Sequence, residues 1–304
     1  MKKIIITLSS ALLAVMTVVI LKNICTPYIP IHNRGIGAAV REGDLDILFL
    51  GSSTFRCNID MEAMDEAYDG RVFDISYGGN QCVANSIQYD EIKKRGKGNC
   101  KLMVFELGPL MITEDVMLTD SRVIWDLTFE GKKALWEKMK NSGNTDLPMM
   151  YEYFVTSGLD DLFTYPLTEP VYATRYYKGV KTEKTVSPGR EYLDNESFDI
   201  SSAQIVEAQT EAVKELMEKC DRDGQDYIFI ETPPYKRLYE DPVYQKYRTE
   251  FIKILDEHGA DHILAADVDY DNSDPDNYED MNHMSHKGRQ EYTKELIKEL
   301  KKYR

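Results

Sequence analysis

Two short stretches, far apart in the chain, carry residue types that can do acyl chemistry. Gly51-Ser52-Ser53-Thr54 sets two adjacent hydroxyls in a turn, and Asp280-Met281-Asn282-His283 sets a carboxylate three residues before an imidazole. A serine hydroxyl is a weak nucleophile until a base takes its proton, and an imidazole is that base when a carboxylate holds its far nitrogen. In such an arrangement His283 accepts the proton and Asp280 orients it. Attack on an ester carbonyl creates an oxyanion, which needs donors aimed at it. Ser76-Tyr77-Gly78-Gly79-Asn80 offers the Gly79 N–H and the Asn80 side-chain amide. Taken singly, each stretch is also an ordinary loop: a capped turn, a surface loop before a helix and a glycine turn.

Their placement depends on the elements around them. Ile47–Leu50 is a continuous apolar run of strand length, which belongs in a sheet covered on both faces. After the serine turn, Asn58 is a candidate N-cap for a helix reaching Tyr68. Arg71–Ile75 is a second strand, and a helix capped by Asn80 runs to about Lys94. Leu102–Leu107 is a third strand, stopped by Gly108-Pro109. The pattern resumes with a helix over Ser201–Arg222 and strands at Tyr227–Glu231 and His262–Ala266. Between those strands lies a helix from about Val243 to His258, and a last helix covers Ser285–Tyr303. Strands alternate with helices and no hairpin signal intervenes, so a flavodoxin-like three-layer α/β sandwich with a five-stranded parallel sheet is expected. All three reactive stretches then meet at the carboxyl edge of that sheet. From Leu110 to about Ile200 the alternation lapses. Trp125, Trp136 and many tyrosines fall there, an insertion expected to fold over the sheet edge and to offer an aromatic acceptor groove.

Lys2-Lys3, the eighteen uncharged residues Ile4–Leu21 and then Lys22 make a segment long enough to span a bilayer. No small-x-small cleavage site follows, and Cys25 lacks the small residues before it that a lipoprotein needs. The expectation is an uncleaved anchor over residues 1–22, a linker over 23–43 and a domain over 44–304. A net charge of −15 argues against nucleic acid as a partner, because a polyanion is repelled. Five cysteines without a Cys-x-x-Cys spacing make neither a disulfide framework nor a zinc site, although Cys57 and Cys82 follow turns at one sheet edge. His283, His286 and Asp280 lack a third neutral ligand, so no metal is expected. Asp267-Val268-Asp269-Tyr270-Asp271 begins like a calcium loop but lacks its glycine and its closing glutamate. Glu106 and Glu231 end neighbouring strands and suit substrate contact or capping better than an acid–base pair.

From Asp46 to about Lys302 the chain resembles the SGNH (GDSL) hydrolases, with Gly51-Ser52-Ser53 standing where that family has Gly-Asp-Ser. The resemblance implies Ser53 as nucleophile and Asp280 with His283 as the closing pair. It also implies oxyanion donors from Ser53, Gly79 and Asn80, and no cofactor. The Gly-Ser-Ser form, the amino-terminal anchor and the His283-x-x-x-x-Gly288 spacing look most like the membrane-tethered branch. That branch includes D-alanyl-lipoteichoic acid transfer and alginate O-acetylation proteins. It implies a single-pass protein with its domain outside the cell, an esterase or O-acyltransferase working on acyl esters of a cell-envelope polysaccharide or teichoic acid. A multi-span membrane acyltransferase is the partner it suggests. The acidic composition favours a neutral glycan or one carrying cationic esters. One departure stands out: Glu106-Leu107-Gly108-Pro109 replaces the third family block, Gly-x-Asn-Asp, and brings no asparagine. The alternative is therefore a non-catalytic SGNH-fold scaffold that recruits an acyltransferase.

Overall fold

The computed structural model describes residues 2–28, 34–95, 100–118, 120, 122–156 and 176–303. Lys2–Cys25 (α1) is one apolar helix, about 36 Å long at the helical rise, its side chains from Ile4 to Leu21 exposed apart from the half-buried Val19. Among the described residues it is the one helix long and apolar enough to cross a membrane. The stretch expected to be a linker is partly domain structure. Lys22, Asn23 and Thr26 are buried, and Gly35–Glu42 (α2) puts Ile36, Ala38 and Ala39 into the core. The Ile36 N–H holds the buried Asp126 carboxylate at 3.0 Å, which ties this helix to the insertion.

The domain then runs Leu45–Leu50 (β1), Ser53–Asn58 (α3), Met61–Ala67 (α4), Val72–Asp74 (β2), Cys82–Arg95 (α5) and Cys100–Glu106 (β3). The described part of the insertion holds Arg122–Asp126 (α6), Phe129–Asn141 (α7), Leu147–Tyr151 (α8), an antiparallel pair Tyr176–Tyr177 (β4) and Val180–Lys181 (β5), and Arg190–Asn195 (α9). Glu207–Asp223 (α10), Asp226–Ile230 (β6), Lys236–Tyr239 (α11), Pro242–His258 (α12), His262–Ile263 (β7) and His286–Leu300 (α13) complete it.

The five-stranded sheet has the order β2-β1-β3-β6-β7 and every pairing is parallel. This is the flavodoxin-like order, in which the chain reverses its winding direction between β1 and β3 and opens a crevice at their carboxyl ends. The strands alternate as a buried sheet must. Leu48 and Leu50 of β1 join one core cluster with Val83 of α5 and Leu216 of α10, while Ile47 and Phe49 join the opposite one with Met64 of α4 and Leu296 of α13. Helices thus cover both faces, giving three layers.

Several local expectations shift. The helix expected over 58–68 starts later, as α4 at Met61, because Asn58 ends α3 and Asp60 is the cap, its carboxylate accepting the Glu62 and Ala63 N–H groups. α10 begins at Glu207 rather than Ser201, since the Val206 N–H goes to the Ile112 carbonyl. The fifth strand is two residues long, because Asp267 draws in the Leu264 N–H and starts a 3-10 turn. The insertion's rings mostly pack against one another: Trp136 meets Tyr153 and Phe154 at 5.4 and 5.5 Å, and Trp125 is buried. Tyr165 and Tyr172 lie outside the described residues.

Candidate active site

β1 delivers its last apolar residue at Leu50, and the chain then turns through Gly51 into α3. Gly51 is required for packing rather than for an unusual dihedral: a Cβ there would come within 2.6 Å of Glu106 Oε2 and 2.9 Å of Phe55. Glu106 ends the neighbouring β3 and is buried beneath this turn. Its Oε2 accepts the Ser52 N–H at 2.5 Å, and its Oε1 accepts the Ser52 hydroxyl at 3.0 Å. Burial pushes the Glu106 carboxyl above its ordinary range, against the pull of those Ser52 bonds. Ser52 therefore faces inward, its oxygen also accepting the Thr54 N–H as the cap of α3. Ser53, at the first position of α3, is partly exposed.

The loop before α13 supplies the other half. Asp280 Oδ1 accepts the backbone N–H groups of Asn282 and His283, both at 2.8 Å, so one carboxylate oxygen is committed to shaping the loop. Its other oxygen, Oδ2, lies 2.7 Å from His283 Nδ1. His283 Nε2 in turn lies 2.9 Å from Ser53 Oγ. The three residues paired by the sequence reading are thus one hydrogen-bonded chain. Burial disfavours charge on the imidazole, but the Asp280 hydrogen bond and charge, aided by Glu279, outweigh it and raise the His283 pKa above its ordinary value. Asp280 moves the opposite way: burial works against its charge, yet His283 and the two backbone N–H groups hold it below the usual carboxylate value.

Asn58 is a residue whose role the sequence reading missed. It is fully buried at the end of α3, where Oδ1 accepts the Met284 N–H at 2.7 Å and Nδ2 donates to the Asn282 carbonyl at 3.1 Å. Both contacts flank His283, so the helix that bears Ser53 also clamps the loop that bears its base. Asn282 Nδ2 adds a bond to Thr54 Oγ1 at 3.1 Å. An asparagine five residues after a serine carries no signal of this in sequence, because these two partners lie more than 220 residues away.

The oxyanion candidates are placed unequally. Tyr77–Asn80 is a turn closed by Asn80 N–H to the Tyr77 carbonyl at 3.1 Å, with Gly79 at φ 63°, a conformation that favours glycine. Gly79 and Asn80 both line a cavity of about 200 Å³ beside Ser53. The Asn80 amide, however, spends both hydrogens on Asn85 and Gln88, at 2.5 and 2.7 Å, and would have to turn to reach an oxyanion. The cavity walls also include Glu106, Leu110, Met111, Glu114 and Tyr244. Of the insertion's aromatics among the described residues, only Phe198 reaches it, so an aromatic groove is not seen at Ser53.

Other candidates are used elsewhere. Glu231 forms two bonds with Arg248, at 2.5 and 2.8 Å, and accepts the Ala265 N–H. Asp267 and Asp271 bond their own loop. All five cysteines are free thiols, and burial pushes Cys57 up to about 11, so it stays protonated near neutral pH. Glu279, Asp280 and His283 come close enough together to share a cation, but His283 Nδ1 and Nε2 already face Asp280 and Ser53. The Ser53–His283–Asp280 arrangement can pass a proton from hydroxyl to imidazole while a carboxylate holds the imidazolium.

No protein-family model matches the chain, and no curated protein matches it. Among solved structures it is similar to a GDSL-like lipase from Bacteroides thetaiotaomicron, at 10% identity and a TM-score of 0.41 over 87% of this chain and 90% of that one. It is also similar to a catalytic mutant of an acetylxylan esterase from Geobacillus stearothermophilus, at 13% identity and a TM-score of 0.38 over 85% of this chain and 94% of that one.

Proposed function

We propose that the protein is a membrane-anchored serine esterase or O-acyltransferase that acts on acyl esters of a cell-envelope polysaccharide or teichoic acid. The observation that carries this reading is the relay Ser53 Oγ to His283 Nε2 at 2.9 Å and His283 Nδ1 to Asp280 Oδ2 at 2.7 Å. Ser53 Oγ attacks the acyl carbonyl as its proton passes to His283 Nε2. The Ser53 and Gly79 N–H groups are the candidate donors to the developing oxyanion, and the proton then passes to the departing alcohol oxygen. The resulting acyl-Ser53 is released by water, giving hydrolysis, or by a polymer hydroxyl, giving transfer. The cavity of about 200 Å³ suits a short acyl group.

Retention of the amino-terminal helix is supported by the residues just after its apolar run. Lys132 Nζ donates to Asn23 Oδ1 at 2.9 Å, Asn23 Nδ2 donates to the Phe154 carbonyl, and Lys22 Nζ donates to the Val155 carbonyl. Removing these residues would leave the buried Lys132 Nζ without that acceptor. Lys2-Lys3 inside and the domain outside the cell is the orientation adopted here. Two observations favour the non-catalytic alternative, a scaffold for a multi-span acyltransferase: Glu106, not an amide, stands beside the nucleophile turn, and the Asn80 amide is occupied.

A fluorophosphonate probe tests the reading. Wild type and Ser52→Ala should be labelled and Ser53→Ala should not. Equal labelling of wild type and Ser53→Ala would overturn the assignment, and labelling of none would leave the scaffold.

A further inference from the structure

A cluster of basic side chains lies at the first turn of α13. A cleft of about 50 Å³ is lined by Asp60, Glu62, Tyr177, Lys184, His286 and Arg289, among others. Arg289 is only 8% exposed, and its Nε is buried without a hydrogen-bond partner. Its Nη2 donates to the Glu183 carbonyl at 2.9 Å and meets His286 Nδ1 at 3.1 Å. No carboxylate among the described residues comes within the 4.0 Å ion-pair distance of this guanidinium. Arg248, by contrast, is neutralised by Glu231. Asp60, which lines the same cleft, already accepts two N–H groups as the cap of α4, and Glu62 is exposed. A buried guanidinium without a counter-charge is costly, so its surroundings call for an anion.

The local field agrees. Burial, and then the charges of Arg289 and Lys184, hold His286 below its ordinary pKa despite Asp60 and Glu62. The positive end of the fifteen-residue α13 adds to it.

We propose that this cleft is an oxyanion subsite that takes one phosphate group, either free or carried by the acceptor polymer. The Arg289 guanidinium, which forms part of the cleft wall, donates to the phosphate oxygens and Lys184 closes over them. His286 is three residues from His283, at most about 11 Å along an extended chain, so a phosphate held here would position an acceptor hydroxyl near Ser53. Asp60 and Glu62 line the same cleft and oppose an anion, Asp60 partly offset by the two N–H groups it accepts and Glu62 by solvent, while screening confines the field of more distant carboxylates to about 8–10 Å. Only the polymer half of the proposal rests on the acyl-ester reading; phosphate binding needs neither Ser53 nor His283.

The test uses full-length protein in detergent. Thermal midpoints and phosphorus NMR line widths are followed with inorganic phosphate, with chloride at matched ionic strength, and with a short glycerol phosphate oligomer. Wild type should be stabilised by phosphate beyond chloride. Arg289→Gln should lose that response, and Lys184→Met, a change at an exposed rim that should fold even if the arginine variant does not, should bind about tenfold more weakly. Tighter binding of the oligomer than of inorganic phosphate assigns the subsite to a polymer, and the reverse assigns it to the free ion. No preference for phosphate over chloride, or unchanged affinity in Lys184→Met, overturns the proposal. Ser53→Ala, which abolishes probe labelling, should keep the phosphate response, so failure of the subsite and failure of the esterase reading are separable.

Discussion

Replacing Asp280 with asparagine should cost this protein most of its acyl chemistry, for a reason visible in the loop geometry. Asp280 Oδ1 accepts two backbone N–H groups at 2.8 Å, which leaves Oδ2 facing His283 Nδ1 at 2.7 Å. An asparagine must keep its carbonyl oxygen toward the two N–H donors, because turning it would set donors against donors. Its NH2 then faces Nδ1, which must accept, so the ring proton sits on Nε2 and points at Ser53 Oγ. The imidazole can no longer take the serine proton. Where a fully buried carboxylate is lost in this way the rate falls about ten-thousand-fold. Asp280 is 35% exposed, so water softens the penalty, and about a thousand-fold loss, roughly 4 kcal/mol of barrier, is expected.

The pH profile supplies a second readout. Only neutral His283 is a base, and Asp280 raises its pKa above 6.5, so the wild-type rate should climb with pH through a midpoint above that value. Asp280→Asn removes the group that favours the protonated ring, so the residual rate should have a lower midpoint. Hydrolysis of p-nitrophenyl acetate and fluorophosphonate labelling, followed from about pH 5 to about pH 9, measure both effects. A variant within about threefold of wild type with an unmoved midpoint would show that Asp280 does not orient His283.

Other variants probe the supports. Glu106→Ala leaves the buried Ser52 N–H without its acceptor and should lower stability by about 1–3 kcal/mol in chemical denaturation, whereas Glu106→Gln, which can still accept it, should recover most of that. Asn58→Ala frees the loop on both sides of His283 and should slow probe labelling about a hundred-fold, an effect of positioning that an unchanged labelling rate would exclude. Amino-terminal sequencing should find Ile4–Leu21 retained, and protease added to intact cells should remove the domain. Digestion only after lysis would place the domain inside.

The reactive residues and their order were legible in the chain because their signals are local. An apolar run followed by Gly51-Ser52-Ser53 announces a buried strand and a turn, and an aspartate three residues before a histidine can close its own hydrogen bond. The alternation of five strands with helices, without hairpin turns, implied a parallel sheet, and a parallel sheet brings every strand's carboxyl end to one edge. That Ser53 and His283 could meet was therefore readable before any coordinates.

What joins them was not. Asn58 reads as a helix cap and becomes a clamp because its partners come from the other end of the chain. Glu106 reads as the residue that replaces a family donor, and only the side-by-side register of β1 and β3 puts it under Ser52. The stretch after the apolar helix reads as a spacer from its prolines and glycine, yet Asn23 finds Lys132 on α7 and is drawn into the domain. Whether the Asn80 amide is available, or Arg289 Nε finds a partner, likewise depends on neighbours brought close by folding. Sequence patterns report hydrophobic burial and local turn chemistry, which act over a few residues. The direction of a donor and the neutralisation of a buried charge are set by groups that meet only when the layers pack.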